Sequence, residues 1–210
     1  MKFDSNRYVD ATREKNMMEA LDTIYSEEGL STERTNDRER QLKGIDFLLE
    51  VNSESTFKVD EKAATTKEDA FSKLPTYSFE LASANNPDGK GWVFQEGLET
   101  THYALVYPQS DDDFKTLSAV EIFIIPKQSI LDFLWEKGIS SKRDAEDTLE
   151  YQGRYDSLGR LRCRIDDSLS LVQSFQLAEE PICAIIDRGI LRRMAWKVIK
   201  RQPKSLSKVS

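Results

Sequence analysis

Two carboxylates and a lysine occupy neighbouring segments that both predict β-strands. Asp46 follows Gly44-Ile45 in the first segment, and Asp60-Glu61-Lys62 lies in the second. Side chains two positions apart on a strand point to the same face, so Asp60 and Lys62 should project together. Two carboxylates can hold a divalent cation against a phosphate, and a nearby ammonium can orient or activate a water. The spacing therefore predicts a metal-dependent nuclease site.

The histidine and cysteine content excludes several other chemistries. His102 is the only histidine, which argues against His-rich zinc hydrolases, nucleases built on paired histidines and most Ser-His or Cys-His hydrolases. It opens an apolar segment, where a residue at a strand end is expected rather than a ligand. Cys163 and Cys183 lack a CxxC partner, so buried thiols are expected instead of a zinc ribbon or a disulfide. Catalysis would have to use carboxylates and lysine.

Length and composition predict one globular domain. The chain has 210 residues, of which 39% are apolar, and this is enough to bury a sizeable core. No apolar run approaches the roughly eighteen residues of a membrane span, and the amino-terminal segment is too charged for a signal peptide. A soluble, cytoplasmic protein with no membrane partner is therefore expected.

The charge is distributed unevenly along the chain. The formal net charge of −7 argues against coating of nucleic acid by bulk electrostatics. From Arg188 onward, however, the chain contains lysines and arginines but no acid. This end fits either a phosphate-contacting segment or a solvated helix face with a frayed tail. The predicted division is a nuclease-like domain over residues 1–187 and a basic helix and tail over 188–210.

The elements that precede the lysine motif are predicted from periodicity. Residues 10–28 predict a helix with one apolar face, formed by Met17, Met18, Leu21, Ile24 and Tyr25. Glu14 falls within that face, so it should pair with a base or reach a metal. Residues 31–41 are polar and lack periodicity, and they predict a loop.

Alternation of apolar and polar residues predicts the strands. The first runs over about 43–51, with Ile45, Phe47, Leu49 and Val51 on one side. The second, 57–64, places Asp60 and Lys62 opposite Val59 and Ala63, and a third, 76–81, carries Glu80 on its polar face. Further strands are predicted around 92–94, at 103–107 and 119–125, and near 170–176; helices are predicted at 129–137, 140–150 and 190–199.

Over residues 10–137 the order of elements resembles the PD-(D/E)xK nuclease superfamily, which includes many restriction enzymes, Holliday-junction resolvases and repair exonucleases. That order is a helix, a strand with Asp46, a strand with Asp60-x-Lys62, further strands and a helix. The phrases from Gln41 to Asp46 and from Val59 to Ala63 look like a bacterial and phage branch of this superfamily. The resemblance implies an α/β (α+β) fold with a restriction endonuclease-like core, a central mixed sheet flanked by helices.

The resemblance also implies a site. Asp46 and Asp60 match the family's metal-binding acids for Mg²⁺ or Mn²⁺, and Lys62 matches the lysine that positions or activates the water. Glu61 stands where the family usually has an apolar residue. It must be satisfied locally, or the strand bulges and Glu61 binds the metal in place of Asp60. The candidate accessory groups are Glu14, Gln41 and Glu80.

The implied activity is hydrolysis of phosphodiester bonds in nucleic acid, in DNA before RNA. Candidate contacts to the nucleic acid are Lys90, in a loop over residues 85–91, and three cations of the basic end: Arg192, Arg193 and Lys197. A homodimer or a larger restriction or repair complex is compatible with this prediction, because an acidic subunit would bind nucleic acid poorly alone.

Other interpretations remain open. Asp-x-Lys is a short motif, and Asp60 and Lys62 also suit the solvated face of an amphipathic hairpin with Asp46 paired across it. Alternatively, the chain is a non-catalytic module of a phage or mobile element that keeps the fold and binds nucleic acid or protein, since a fold does not determine function. Trp92, Phe94, Tyr103 and Tyr107 would suit such a binding surface, although aromatic residues also form cores.

Overall fold

The computed structural model describes residues 7–202 except 54, 66–68, 87 and 111–113, and within the first helix it describes side chains from residue 15 onward. The helices are α1 (Arg7–Glu27), α2 (Arg38–Leu42), α3 (Ala70–Lys73), α4 (Lys127–Glu136), α5 (Lys142–Gln152) and α6 (Arg188–Met194). The strands are β1 (Ser31–Arg34), β2 (Phe47–Asn52), β3 (Ser55–Ala63), β4 (Thr76–Ala82), β5 (His102–Gln109), β6 (Ala119–Pro126), β7 (Arg154–Tyr155), β8 (Leu161–Arg164), β9 (Leu169–Gln173), β10 (Ile182–Asp187) and β11 (Lys197–Arg201).

The strands form two sheets. The larger has six strands in the order β1-β2-β3-β5-β6-β11, and the smaller has five in the order β4-β10-β9-β8-β7. In the larger sheet β3 and β5 are parallel, whereas the other neighbouring strands are antiparallel. The register sets Asp60 beside Tyr103 on β5, which in turn lies beside Ile125 on β6. The chain is therefore a mixed α/β protein with a mixed sheet, as predicted at this coarse level.

Two hydrophobic cores cover the two faces of the larger sheet. On one face Met17, Leu21 and Tyr25 of α1 pack against β2, β3, β5 and β6. On the other face, residues of β5 and β6 pack against α4, α5 and the smaller sheet. Because side chains alternate along β3, Val59 and Ala63 face α1, while Asp60 and Lys62 face the second core. The Asp60-x-Lys62 motif thus lies between the layers of the structure, where burial can shift the pKa values of its side chains.

Several predicted elements are confirmed. The helix over 10–28, the strands at 57–64, 76–81, 103–107 and 119–125, and both helices between 129 and 150 appear within a few residues of their predicted bounds. Val51 is 36% exposed and Met18 is 37% exposed, so their assignment to buried faces is wrong. Cys163 and Cys183 are free thiols, as expected, but only Cys163 is buried, whereas Cys183 is partly buried.

The prediction of a loop over 31–41 is wrong. Ser31–Arg34 forms the edge strand β1, which pairs antiparallel with β2. Asp37 then starts α2, because its side chain accepts a hydrogen bond from the backbone N–H of Glu39. A four-residue polar edge strand carries no alternation of apolar residues, so its pairing decides its structure.

Two further predictions also fail. Residues 92–94 form a turn, in which the N–H of Phe94 donates to the carbonyl of Gly91 at 3.1 Å. The helix predicted over 190–199 ends at Met194, and β11 follows as the partner of β6. The apolar spacing of this segment suits a helix, but pairing with the open edge of β6 and burial of Ile199 favour a strand.

None of the described helices is both long enough and apolar enough to span a membrane.

Candidate active site

Asp46 and Asp60 meet where β2 begins. The antiparallel register that pairs Phe47 with Val59 sets Asp46 opposite Asp60, and the Asp46 N–H donates to the Val59 carbonyl at 2.9 Å. Asp46 Oδ2 accepts a hydrogen bond from the backbone N–H of Glu61 at 2.8 Å. The structure therefore brings the two predicted acids together through the pairing of adjacent strands.

Asp60 is a buried acid with an unusual environment. It is 4% exposed, and its Oδ1 lies 2.7 Å from Nζ of Lys62 on the same face of β3. Burial raises the pKa of Asp60 to about 6; Lys62 opposes this shift, whereas the charge of Asp46 and a hydrogen bond between the two carboxyl groups reinforce it. Two carboxylates in contact repel each other unless a proton or a cation lies between them.

Glu61 points to the opposite face of β3. Its Oε1 accepts a hydrogen bond from the Tyr25 hydroxyl at 2.6 Å, and its Oε2 accepts one from Nη1 of Arg34 at 2.7 Å. Arg34 also binds Asp22 through Nε at 2.7 Å. Burial raises the pKa of Glu61, while Arg34 opposes the shift.

This geometry bears on the two sequence-based roles of Glu61. In the pairing of β2 with β3 the register shift falls between Glu50 and Asn52, at the far end of the hairpin from Phe47 and Val59. Glu61 is satisfied locally by Tyr25 of α1 and Arg34 of β1, although its carboxylate lines the same cavity as Asp46, whose charge raises the pKa of Glu61. We propose Asp46 and Asp60, rather than Glu61, as the metal ligands.

Gln41 lies on the α1 side of Asp46. Gln41, Asp46, Arg34 and Glu61 line a cavity of about 130 Å³, and the Gln41 side chain donates to the Thr35 carbonyl at 3.4 Å. Gln41 thus shares a cavity with Asp46, as an accessory group would. The side chain of Glu14 lies outside the part of the chain that the structure describes.

Residues of the second core complete the surroundings of Asp60. The ring of Trp92 lies 5.5 Å from Nζ of Lys62 and 4.9 Å from the ring of Tyr103. The buried Tyr103 hydroxyl makes no hydrogen bond within the described structure, and its pKa is raised by burial and then by the charge of Asp60. Burial lowers the pKa of Lys127, and the Asp60 carboxylate opposes that shift. A buried donor without a partner beside charged groups is where a bound water or ligand is expected.

Sequence reasoning missed Tyr103 and Lys127 as site residues. Tyr103 was assigned to a core strand, and Lys127 follows Pro126 at the end of β6. Their proximity to Asp60 depends on the parallel pairing of β3 with β5, a contact between segments far apart in sequence that no local pattern reveals. The one signal in the sequence for Lys127 was its position directly after a buried strand.

Glu80 and Lys90 lie on other elements than Asp46 and Asp60. Glu80 is on β4 in the smaller sheet, on the face opposite Phe79 and beside Cys183; burial, and then the charge of Glu80, raises the pKa of Cys183. Lys90 forms ion pairs with Asp88 and Glu96. Their roles as an accessory group and as a nucleic-acid contact stay predictions.

The cations of the basic end take part in internal contacts. Glu121, 1% exposed, is bound by Arg188 and Arg192, and Lys197 donates to the carbonyl of Glu28 at 3.2 Å. Arg193 is exposed on α6. Since β5 and β6 separate β11 from β3, Lys197 is remote from Asp60 within the sheet.

The donors at Asp46 and Asp60 suit a hard divalent cation. Among the described residues no group of three or more His, Cys, Asp or Glu is arranged to hold a metal. Mg²⁺ is usually bound through one or two carboxylates, with waters and substrate oxygens completing its shell. Two adjacent carboxyl groups, one of them with a raised pKa, therefore fit Mg²⁺ or Mn²⁺.

The comparisons with known proteins found no relative of this chain. No protein-family model, curated protein or solved structure matches it. Inference about function therefore depends on the geometry around Asp46, Asp60 and Lys62.

Proposed function

We propose that this chain is a metal-dependent phosphodiesterase of the PD-(D/E)xK type that hydrolyses nucleic acid, DNA before RNA. The observation that carries the proposal is the buried Asp60 carboxyl group, which contacts Asp46 and pairs with Lys62 at 2.7 Å. A buried acid with a raised pKa and a specific charge partner is typical of a functional site.

The arrangement of elements supports the same proposal. α1 packs on the sheet, Asp46 directly precedes β2, and β3 carries Asp60 and Lys62 on one face within a mixed sheet. This is the order in which the sequence resembles the superfamily. A restriction endonuclease-like core is the finer fold assignment that we propose with the activity.

Each group has a defined part in the proposed reaction. Asp46 and Asp60 would hold Mg²⁺ or Mn²⁺, which when bound stabilises charge on the phosphate and lowers the pKa of a bound water. Lys62 lies against Asp60, so its ammonium can donate a hydrogen bond to the attacking water and orient it toward phosphorus. The water oxygen would then bond to phosphorus while the bond to the leaving oxygen breaks; the attacking water loses a proton to solvent, and the leaving oxygen takes up a proton from solvent. Tyr103 supplies a further hydroxyl for the ligand oxygens.

Local charge accounts for nucleic-acid binding by an acidic chain. The net charge is −7, but Lys62 and Lys127 both lie close enough to Asp60 to interact with its charge. Phosphate contacts through a few cations are strongly salt-dependent. Lys197, which is remote from Asp60 within the sheet, would act only on an extended substrate.

The test is cleavage of labelled single- and double-stranded DNA and RNA in Mg²⁺ or Mn²⁺. Wild type should cut at least one substrate, and Asp60→Asn should reduce the rate by at least about a hundredfold. Asp147→Asn, a substitution in an exposed ion pair on α5, is the matched control and should cut at the wild-type rate. Equal cleavage by Asp60→Asn and wild type would refute the assignment, and absence of all cleavage would favour the non-catalytic binding module.

A further inference from the structure

A groove of about 420 Å³ lies between the turn at residues 91–97 and α4. Phe94, Leu131 and Trp135 supply its apolar and aromatic lining, and Lys127 and Asp132 line it with one charge of each sign; the Asp132 carboxylate accepts a hydrogen bond from the Gln128 side chain at 2.8 Å. Trp135 is 69% exposed, although a side chain of this size is usually buried in a monomer. An aromatic ring this exposed, beside other apolar groups, indicates a binding surface.

Lys127 connects the groove with the surroundings of Asp60. Lys127 is the first residue of α4 and follows Ile125 by two residues. Ile125 pairs with Tyr103 on β5, and Tyr103 pairs with Asp60 on β3. The backbone N–H of Lys127 donates to the Thr101 carbonyl at 2.8 Å and fixes the start of the helix against β5. Lys127 therefore lines the groove and also lies near Asp60.

The turn at residues 91–97 also connects the groove with the surroundings of Asp60. Trp92 contacts Tyr103 and lies near Lys62, whereas Phe94, two residues later, lines the groove. The turn is closed by hydrogen bonds from the N–H groups of Phe94 and Gln95 to the Gly91 carbonyl, at 3.1 and 3.0 Å. One short segment thus sets an aromatic ring beside the proposed scissile position and another in the groove.

The chemistry of the groove matches a nucleotide. Aromatic rings stack on the faces of unpaired bases, and a cation close by can pair with the adjoining phosphate. The side chains of Gln95 and Gln128 also line the groove and carry amide groups that can bond to base edges. An apolar peptide would not need the cation, and a paired base in a duplex does not present its face for stacking.

We infer that this groove binds an unpaired nucleobase next to the phosphate held at Asp46 and Asp60, so that the substrate is single-stranded or has a single-stranded end. The inference rests on the proposed function for the identity of the neighbouring site. Trp135 is the stacking platform, and Lys127 binds the phosphate between the base and the proposed metal site.

The test measures binding without cleavage. A fluorescently labelled oligothymidylate and a blunt duplex of the same length are titrated with the full chain in a chelator, which prevents metal-dependent cutting. Trp135→Ala should weaken binding of the single strand about tenfold, as expected for loss of one stacked base, and leave duplex binding unchanged. Trp135→Phe should keep most of the affinity. Tyr151→Ala is the matched control, since Tyr151 is 77% exposed on α5 and does not line the groove.

Three results would overturn the inference: no binding of the single strand by wild type, no loss in Trp135→Ala, or an equal loss for the duplex. Cleavage in Mg²⁺ is measured separately on the same oligonucleotides. If cleavage depends on Asp60 but binding does not depend on Trp135, the proposed function stands and the groove assignment fails. If Trp135 governs binding but no metal supports cleavage, the groove stands and the nuclease proposal fails.

Discussion

The two faces of β3 carry adjacent acids in contrasting environments. Glu61 faces α1, where Tyr25 and Arg34 each donate a hydrogen bond to its carboxylate. Asp60 faces the second core, where it pairs with Lys62 but also contacts a second carboxyl group, that of Asp46. Both acids are largely buried and both have raised pKa values. Glu61 therefore has the environment of a structural ion pair, whereas the environment of Asp60 is favourable only when a proton or cation is added.

The two buried tyrosines that flank β3 repeat the contrast. The Tyr25 hydroxyl donates to Glu61, whereas the Tyr103 hydroxyl, on the Asp60 side, has no hydrogen-bond partner in the described structure. A buried polar group without a partner destabilises the folded state. The buried Nη2 of Arg34, on the Glu61 side, also lacks a partner within the described structure, so an unpaired polar atom does not by itself assign a function to either face. The proposed function assigns the chemistry to the Asp60 face.

The largest expected effect is on activity. Lys62→Ala should lower the rate of metal-dependent cleavage by about 10² to 10⁴-fold, because it removes the group that orients the water. Lys58→Ala is the control: Lys58 lies on the same face of β3 but pairs with Glu99 at the surface. Steady-state cleavage of the best substrate measures both. Equal rates for the two variants would remove the functional distinction between these lysines.

Truncation of the structural acid should cost stability. Glu61→Ala leaves the largely buried Arg34 with Asp22 as its remaining charged partner, so the free energy of unfolding should fall by about 3 kcal/mol. Urea unfolding measures it, with the exposed Glu50→Ala as control. A loss as small as that of the control would show that Glu61 does not hold the α1 side together.

Substitution of Asp60 should change the free energy of unfolding in the opposite direction. The pKa of Asp60 is raised from 3.8 to about 6 in the folded protein, so the folded state holds the proton more tightly than the unfolded state. The contribution of protonated Asp60 to the free energy of unfolding is therefore fully present below the pKa of the unfolded state, and it is lost as the pH rises through the pKa of the folded state. Asp60→Asn should raise the free energy of unfolding by about 3 kcal/mol at neutral pH, since each unit of pKa shift corresponds to about 1.4 kcal/mol.

The same variant should bring no such gain at acid pH. Below the unfolded pKa of 3.8, Asp60 is protonated in both states, and the difference from Asn should vanish. Urea unfolding in a chelator at both pH values measures the effect without bound metal. A variant less stable than wild type at neutral pH would mean that the ion pair with Lys62 outweighs the cost of burying Asp60.

The smallest effects should come from the two hydroxyl groups. Tyr25→Phe removes a hydrogen bond to a charged carboxylate and should cost about 2 kcal/mol of unfolding free energy, whereas Tyr103→Phe removes an unpaired hydroxyl and should cost about zero. Each substitution removes one buried hydroxyl group, so thermal unfolding of the two variants compares a hydrogen-bonded hydroxyl with an unpaired one. Equal losses would indicate that Tyr103 also has a partner.

The local part of the candidate site could be predicted from the sequence. The alternation along residues 57–64 was sufficient to assign Asp60 and Lys62 to one face, and the hairpin that brings Asp46 opposite Asp60 is short. Lys127 and Tyr103 could not be assigned in this way, because they reach Asp60 through the parallel pairing of β3 with β5. Parallel strands are joined by long connections, so their register is not recorded in local sequence.

The same reason explains the wrong prediction for residues 190–199. Leu191, Met194 and Val198 are spaced as on a helix, yet β11 forms because β6 has an open edge that accepts a further strand. Two of the basic residues near the carboxyl end have partners that the sequence did not indicate. Arg188 and Arg192 neutralise the buried Glu121, a partner far earlier in the chain. Charge counting along a sequence cannot separate cations that bind a ligand from those that bind the protein itself.

Calorimetric titration of Mn²⁺ into wild type, Asp60→Asn and Glu61→Gln tests the central claim most directly. The three proteins differ only at the two adjacent acids whose roles the structure separates. Wild type and Glu61→Gln should bind Mn²⁺ with similar affinity, and Asp60→Asn should lose the binding. Binding that survives Asp60→Asn but is lost in Glu61→Gln, or the absence of binding to wild type, would contradict the assignment of Asp46 and Asp60 as the metal site.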